Sequence, residues 1–216
     1  MIQVKKVFKS FNQEPILKNI NIQIESNEIV ALQGPSGAGK TTLLKSIGLL
    51  DTIDSGSIIF EQKNITLFNH QEKCFFRNQQ IGFIFQFHNL LPEFSGLENI
   101  LIPSLISGKS FQQGEKNGMA LMESLNISDQ AHKKPSEMSG GEQQRVAIAR
   151  SLINSPKLIL ADEPTGNLDS FQSTELFKLF NKIRNKFSTT FLIITHNKNL
   201  AKLADRIINI KDGQII

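Results

Sequence analysis

Short apolar runs recur along the chain at Val4–Phe8, Ile20–Ile24, Ile29–Leu32, Ile58–Phe60, Ile81–Phe85, Leu158–Ala161, Thr190–Ile194 and Arg206–Ile210. Runs of this length, rich in Ile, Val and Phe and bounded by polar turns, read as strands. Leu158-Ile159-Leu160-Ala161 is apolar at every position rather than every second one. That predicts burial on both faces, as in a parallel sheet covered by helices. Helical pattern lies between the runs at Lys40–Ile47, Gln112–Leu125, Gly141–Asn154 and Ser170–Lys186. Strands and helices alternating in this way predict an α/β fold.

The middle of the chain departs from the alternation. From Phe87 to Asn154 it carries helical pattern and loops but no strand pattern, which predicts a helical subdomain inserted into the sheet domain. In the N-terminal third, Ile20–Ile24 and Ile58–Phe60 sit near turn residues and predict a few antiparallel strands. One compact unit spanning 1–216 follows. Residues 1–86 and 155–216 form its core with a β subdomain, and 87–154 form the helical part.

Chemistry enters at Gly34-Pro35-Ser36-Gly37-Ala38-Gly39-Lys40-Thr41, which fits G-x-x-x-x-G-K-S/T between a strand and a helix, with Thr42 following. Glycines let backbone wrap closely around phosphate oxygens, and a helix N-terminus presents free N–H groups with partial positive charge. Lys40 would reach the β- and γ-phosphates and the Thr41 hydroxyl would ligate Mg²⁺. Downstream, the apolar strand Leu158–Ala161 ends in Asp162-Glu163. Strand alternation points the two acids to opposite sides, with separate tasks. Asp162 suits the metal shell, and Glu163 faces a water attacking the γ-phosphate, as general base or as its orienter. His196 and Gln86 each follow an apolar strand, at the edge where open α/β sheets bind ligands. His196 could hydrogen-bond the γ-phosphate, and Gln86 could reach the metal or the attacking water.

A second nest lies at Ser139-Gly140-Gly141-Glu142, opening the helical run Val146–Leu152. Ser139 and Glu142 also fit the S-x-x-E capping box, a local role compatible with anion binding. With one cradle already present, a second makes sense if it serves a nucleotide held by another copy.

Taken in order, these motifs resemble the ABC-type ATPases over essentially the full length. The resemblance assigns a Walker A loop at Gly34–Thr41, a Q-loop at Gln86, a signature at Ser139–Glu142, a Walker B strand ending Asp162-Glu163, a D-loop Asn167-Leu168-Asp169 and a switch His196. It implies a P-loop NTPase (RecA-like) core with a small antiparallel β subdomain and an inserted α-helical subdomain. It also implies ATP and Mg²⁺ as cofactors, and a head-to-tail homodimer in which Ser139, Gly140, Gly141, Glu142 and Asp169 complete the partner's site. Two departures stand out. Position 142 is Glu where the family usually has Gln, a replacement found in a branch of bacterial transporters. The adenine-stacking aromatic is often Tyr, but the chain has no Tyr or Trp. Phe11 takes that role by position, with Phe8 the alternative, and either offers the same ring face.

Within the family, Phe85–Ile100, Gly48–Asp51 and Ala161–Asp169 resemble the lipoprotein-releasing (Lol) branch. That implies powering the release of lipoproteins from the inner membrane toward the outer membrane, with paired integral subunits. ATPases of macrolide or peptide exporters and of the cell-division ABC complex are the alternatives. Phe87, Leu90, Leu91, Phe94 and Leu97 would line part of a groove for a short cytoplasmic helix of the membrane subunit.

The remaining numbers narrow the picture. Lys and Arg total 24 against 20 Asp and Glu, but the charges are scattered without a long basic run, which speaks against a nucleic-acid partner. The single cysteine, Cys74, fits a reducing compartment. No leader pattern opens the chain and no apolar stretch has spanning length. The expected place is the cytoplasmic face of the inner membrane, reached through partners. A chromosome-maintenance ATPase of the same superfamily would carry a long coiled coil between Gln86 and Ser139, and no sustained heptad pattern fills that gap. Two-cassette translation factors are excluded by the single copy of each motif.

Overall fold

A computed structural model of the chain describes residues 1–166 and 168–216. It begins with the hairpin β1 (Ile2–Phe11) and β2 (Glu14–Ile24). The hairpin is closed by Asn12 and Gln13 at φ 49° and 69°, the paired positive φ of a type I′ turn. β3 (Ile29–Gln33) and α1 (Lys40–Ile47) follow, then β4 (Ser55–Phe60) and the short β5 (Lys63–Asn64). The remaining elements are α2 (His70–Gln80), β6 (Ile81–Phe85), α3 (Gly96–Ile106), α4 (Phe111–Ser124), α5 (Gly140–Leu152), β7 (Leu158–Asp162), α6 (Ser170–Phe187), β8 (Thr190–Ile194), α7 (Lys198–Ala201), β9 (Arg206–Lys211) and β10 (Gln214–Ile215), with three short 3₁₀ turns between them.

Two sheets result. The antiparallel one has order β2-β1-β4-β5, and the larger has order β10-β9-β3-β8-β7-β6. In the larger sheet β9, β3, β8, β7 and β6 pair in parallel, and only the β9–β10 hairpin at its edge is antiparallel. The continuous apolar runs explain this arrangement. Leu158 and Leu160 of β7 face a core shared with α1 and the antiparallel sheet, while Ile159 and Ala161 face a second core built with α3, α5 and α6. Every residue of β8 is buried. No helix among the described residues is long and apolar enough to cross a membrane.

The three helices α3, α4 and α5 form the insertion between β6 and β7. Capping boxes start two of them, Ser95 with Glu98 and Ser139 with Glu142, so each helix start is written in local sequence. Leu97, Ile100, Leu101, Met122 and Val146 fill the space between them. Three helices, α2, α3 and α7, have no counterpart in the apolar pattern, the last because its four residues make barely one turn. α2 buries no residue completely and so presents no apolar stripe. α3 is apolar nearly all round and contains Pro103, which blurs its period.

β6 lies directly on α5 at Gly82. A methyl group there would collide with the Ser151 carbonyl and the Ile159 side chain. Gly82→Ala is expected to lower unfolding free energy by roughly 1–3 kcal/mol, the range for overpacking a close contact. Urea unfolding checks it, and an unchanged midpoint would show that α5 can retreat from the strand.

Candidate functional site

The carboxyl ends of β3, β7 and β8 border a cleft of about 390 Å³. The loop from β3 to α1 forms one wall. Gly37 and Gly39 stand at φ 78° and 98°, conformations that L side chains rarely adopt, and Gly34 lies so close to the Ile210 carbonyl that a Cβ would overlap it. Ala38 is buried and its N–H donates to the Pro35 carbonyl at 3.3 Å. Lys40 Nζ turns back over the loop and donates to the Gly34 and Pro35 carbonyls, each at 2.9 Å. Ser36, Gly37, Gly39, Lys40, Thr41 and Thr42 all line the cleft.

The opposite wall carries the carboxylates. Thr41 Oγ1 donates to Asp162 Oδ1 at 3.4 Å. Burial pushes the Asp162 carboxyl above its ordinary value and the neighbouring Glu163 charge adds to this, against the Thr41 hydroxyl and the Lys45 and Lys40 charges. The strand ends at Asp162, and Glu163 takes φ 47°, with its N–H donating to the Ile194 carbonyl at 3.1 Å. Extended-strand alternation therefore stops between the two acids. Both line the same cleft, which corrects the expectation that they face opposite sides. Glu163 Oε2 lies 2.9 Å from His196 Nδ1 and accepts the His196 backbone N–H at 3.4 Å.

Phe11 reaches the cleft from the tip of the β1–β2 hairpin, and the Lys9 ammonium lies 4.9 Å from its ring centroid. Phe8 is exposed but does not line the cleft. Ile16 and Ile194 do line it, and the sequence reading missed both because a single apolar residue on a strand carries no separate signal. Gln86 follows β6 and packs its side chain on Gly166, outside the residues that line the cleft.

Ser139, Gly140, Gly141 and Glu142 lie elsewhere, at the start of α5 and away from this cleft. Ser139 Oγ donates to Glu142 Oε2 at 2.7 Å, the Ser139 N–H donates to the same oxygen at 2.7 Å, and buried Gln130 donates to Glu142 Oε1 at 2.7 Å. The Ser139 hydroxyl, then its N–H, lower the Glu142 pKa from its ordinary value. Over Gly140 and Gly141 there is open space. Asp169 caps α6 through the Gln172 N–H at 2.7 Å, and Asn167 lies outside the described residues. Gly141 and Leu168 border a common crevice, so the start of α5 lies near the start of α6.

The family model for ABC transporters matches residues 17–166. The chain belongs to the ABC transporter family. The lipoprotein-releasing system ATP-binding protein LolD of Bacteroides fragilis is 48% identical over 216 residues, covering 100% of both chains. The macrolide export ATP-binding/permease protein MacB of Campylobacter jejuni is 44% identical over 216 residues, which are 100% of this chain and 34% of that one. A solved dimeric bacterial ABC transporter cassette aligns with TM-score 0.90 and 37% identity, over 100% of this chain and 96% of that one. A dimeric post-hydrolysis state of the same cassette, bound to ADP and Pi, aligns with TM-score 0.89 and 36% identity.

A second concavity, about 550 Å³, separates α2 and the end of β6 from α3 and α5 in this ABC cassette. Leu50, Cys74, Phe83, Phe85, Pro103 and Ile106 give it an apolar lining. None of the five residues expected to line a partner groove is among its walls. Leu97 is buried at 6% exposure and Leu90 packs against the core, because both are needed to seat α3, while Phe87, Leu91 and Phe94 are exposed beside it.

Proposed function

We propose that this chain is the ATP-binding and ATP-hydrolysing subunit of an ABC transporter that releases lipoproteins from the inner membrane for transfer toward the outer membrane. The observation that carries the ATPase part is the convergence of Lys40, Thr41, Asp162 and Glu163 on one cleft, at the end of a glycine-rich loop and a helix N-terminus. Full-length identity of 48% to a lipoprotein-releasing ATP-binding protein supports the cargo. Identity of 44% to a macrolide export protein supports that export as the second reading.

Gly34–Thr42 would wrap the phosphates, with Lys40 exchanging its two carbonyl partners for phosphate oxygens, and Phe11 would stack on the adenine. Thr41 and Asp162 are hard oxygen donors lying together, which fits a Mg²⁺ that keeps water and phosphate as its other ligands; they would hold it, and Gln86 would join them only by moving its side chain from Gly166 into the cleft. The metal supplies neutralisation of developing phosphate charge. Glu163, oriented by His196 Nδ1, receives the proton of the attacking water.

The exposed N-terminus of α5, with nothing above Gly140 and Gly141, supports completion of the site by a second copy. Ser139, Gly140, Gly141, Glu142 and Asp169 would then meet the nucleotide held by the partner. The dimeric state of the similar cassette supports the same arrangement. The apolar groove beside α3 is the place for a cytoplasmic helix of the integral subunit, through which this chain would associate with the cytoplasmic face of the inner membrane.

Glu163→Gln is expected to bind ATP, lose roughly 100-fold or more of its turnover, and accumulate as an ATP-bound dimer in size-exclusion chromatography. Undiminished hydrolysis would refute the assigned base. Dimers mixed from Lys40→Ala and Gly141→Asp chains should keep one intact site, whereas placing both changes in one chain should disable both sites. Reversal of that pattern in steady-state hydrolysis would show that each chain completes its own site. Ile106→Asp, at a position 72% exposed, should reduce co-purification of the integral subunit without a packing cost. The identity of that subunit, and accumulation of lipoproteins in the inner membrane on depletion, separate lipoprotein release from macrolide export.

A further inference from the structure

After Gln86 the chain runs through Phe87–Ser95 without regular structure before α3 begins. The first turn of this segment is strained: His88 and Asn89 both occupy the left-handed region, at φ 56° and 50°. Arg150, near the end of α5, lies against that turn. Its Nη2 donates to the His88 carbonyl at 2.6 Å and its Nη1 to the Asn89 carbonyl at 2.6 Å. Burial pulls the Arg150 pKa below its ordinary value. Among the described residues no carboxylate lies within ion-pair distance of it. A largely buried guanidinium without a counter-charge is costly, and its two charge-assisted bonds to the turn are what offset that cost. Arg150 and Asn89 also line the apolar groove. At the other end of the same helix stand Ser139, Gly140 and Gly141.

We infer that Arg150 is a positioning residue that locks the turn after Gln86 to the signature helix, so that a displacement at the groove moves Gln86 and the Ser139–Gly141 end as one body. The inference rests on the functions proposed above for Gln86, for Ser139–Gly141 and for the groove. Buried Asn99 makes the complementary tie at the far end of the segment. Its amide bonds Leu91, Phe94 and Ser95, so the stretch is held to α3 as well as to α5. What Arg150 adds is the connection to the helix that ends at the second anion nest.

The test uses Arg150→Lys and Arg150→Gln in the full chain. Lysine keeps the charge but cannot fork to both carbonyls. Hydrogen–deuterium exchange of peptides covering 86–91 should accelerate in both variants while β7 and β8 stay protected. Turnover should fall roughly tenfold or more, as expected when a catalytic constellation loosens at a distance, with ATP affinity unchanged. In complex with the integral subunit, any stimulation of hydrolysis by that subunit should be lost. Unchanged exchange at 86–91, or unchanged turnover, in Arg150→Lys overturns the inference. So does a parallel fall of turnover, ATP affinity and unfolding midpoint, which would make Arg150 a general strut. If Arg150→Gln fails to fold, Arg150→Lys decides alone. If the unaltered chain fails to hydrolyse ATP, the proposed function falls, and the exchange measurement still decides whether Arg150 clamps the turn.

Discussion

Parallel register across the large sheet is the constraint on which everything else depends. Leu32 pairs with Ile194, Ile194 with Asp162, and Asp162 with Phe85, so four strands reach the same level within a residue of their ends. The next residues along these strands are Gln33, Thr195, Glu163 and Gln86, and His196 follows one step later. A slip of one residue in β7 would exchange its two faces, carrying Leu158 and Leu160 into the helical core and moving Asp162 away from Thr41. The two faces of β7 fit differently shaped, close-packed cores, Leu158 and Leu160 in one and Ile159 and Ala161 in the other, and that fit makes such a slip costly. The chemistry at the sheet edge is therefore held in place by residues that take no part in it.

The same logic separates the two anion-binding ends. α1 begins where the sheet brings its N-terminus against Asp162 and Glu163, so its cradle opens onto carboxylates that can manage a metal and a proton. α5 begins on the inserted helices, and its capping box already satisfies the Ser139 N–H through Glu142. The Ser139 hydroxyl donates to that carboxylate too, so phosphate binding at this end requires the hydroxyl to change its acceptor. A Glu at position 142 also places negative charge beside the proposed phosphate position. Approach of a nucleotide to this end is opposed by that charge and favoured by the helix dipole and the open N–H groups. The proposed closure of two copies would thus balance opposing electrostatic terms.

Much of this was legible in the residues. The central strands β3, β6, β7 and β8 announce themselves by apolar runs while the edge strand β10 carries none, and the pattern over Lys40–Ile47 gives a helix with the ends the structure shows. The glycine-rich loop could be placed because its pattern sat between a readable strand and a readable helix. Three things were less legible, each for a physical reason. The shared orientation of Asp162 and Glu163 depends on one positive φ at a non-glycine residue, which no alternation rule anticipates. α2 has no buried stripe, so its contribution to the groove was invisible. Leu90 and Leu97 looked like interface residues because a single sequence does not distinguish an apolar residue facing a partner from one facing its own core.

That last confusion clarifies how the inserted helices work. The irregular segment after Gln86 spends its apolar residues in two directions: Leu90 inward against the core that holds Leu97 of α3, Phe87, Leu91 and Phe94 outward. A loop anchored in this way cannot swing freely, because Asn99 and Arg150 hold its backbone at both ends and Leu90 packs against the core between them. The groove above it is built from the ends of the same elements. A helix pressed into that groove would therefore push on a tied frame whose members also carry Gln86 and the start of α5. Rigid transmission through packed side chains and two clamps requires no separate hinge, and under the function proposed above it would make the insertion a lever between a membrane partner and the nucleotide edge of the sheet.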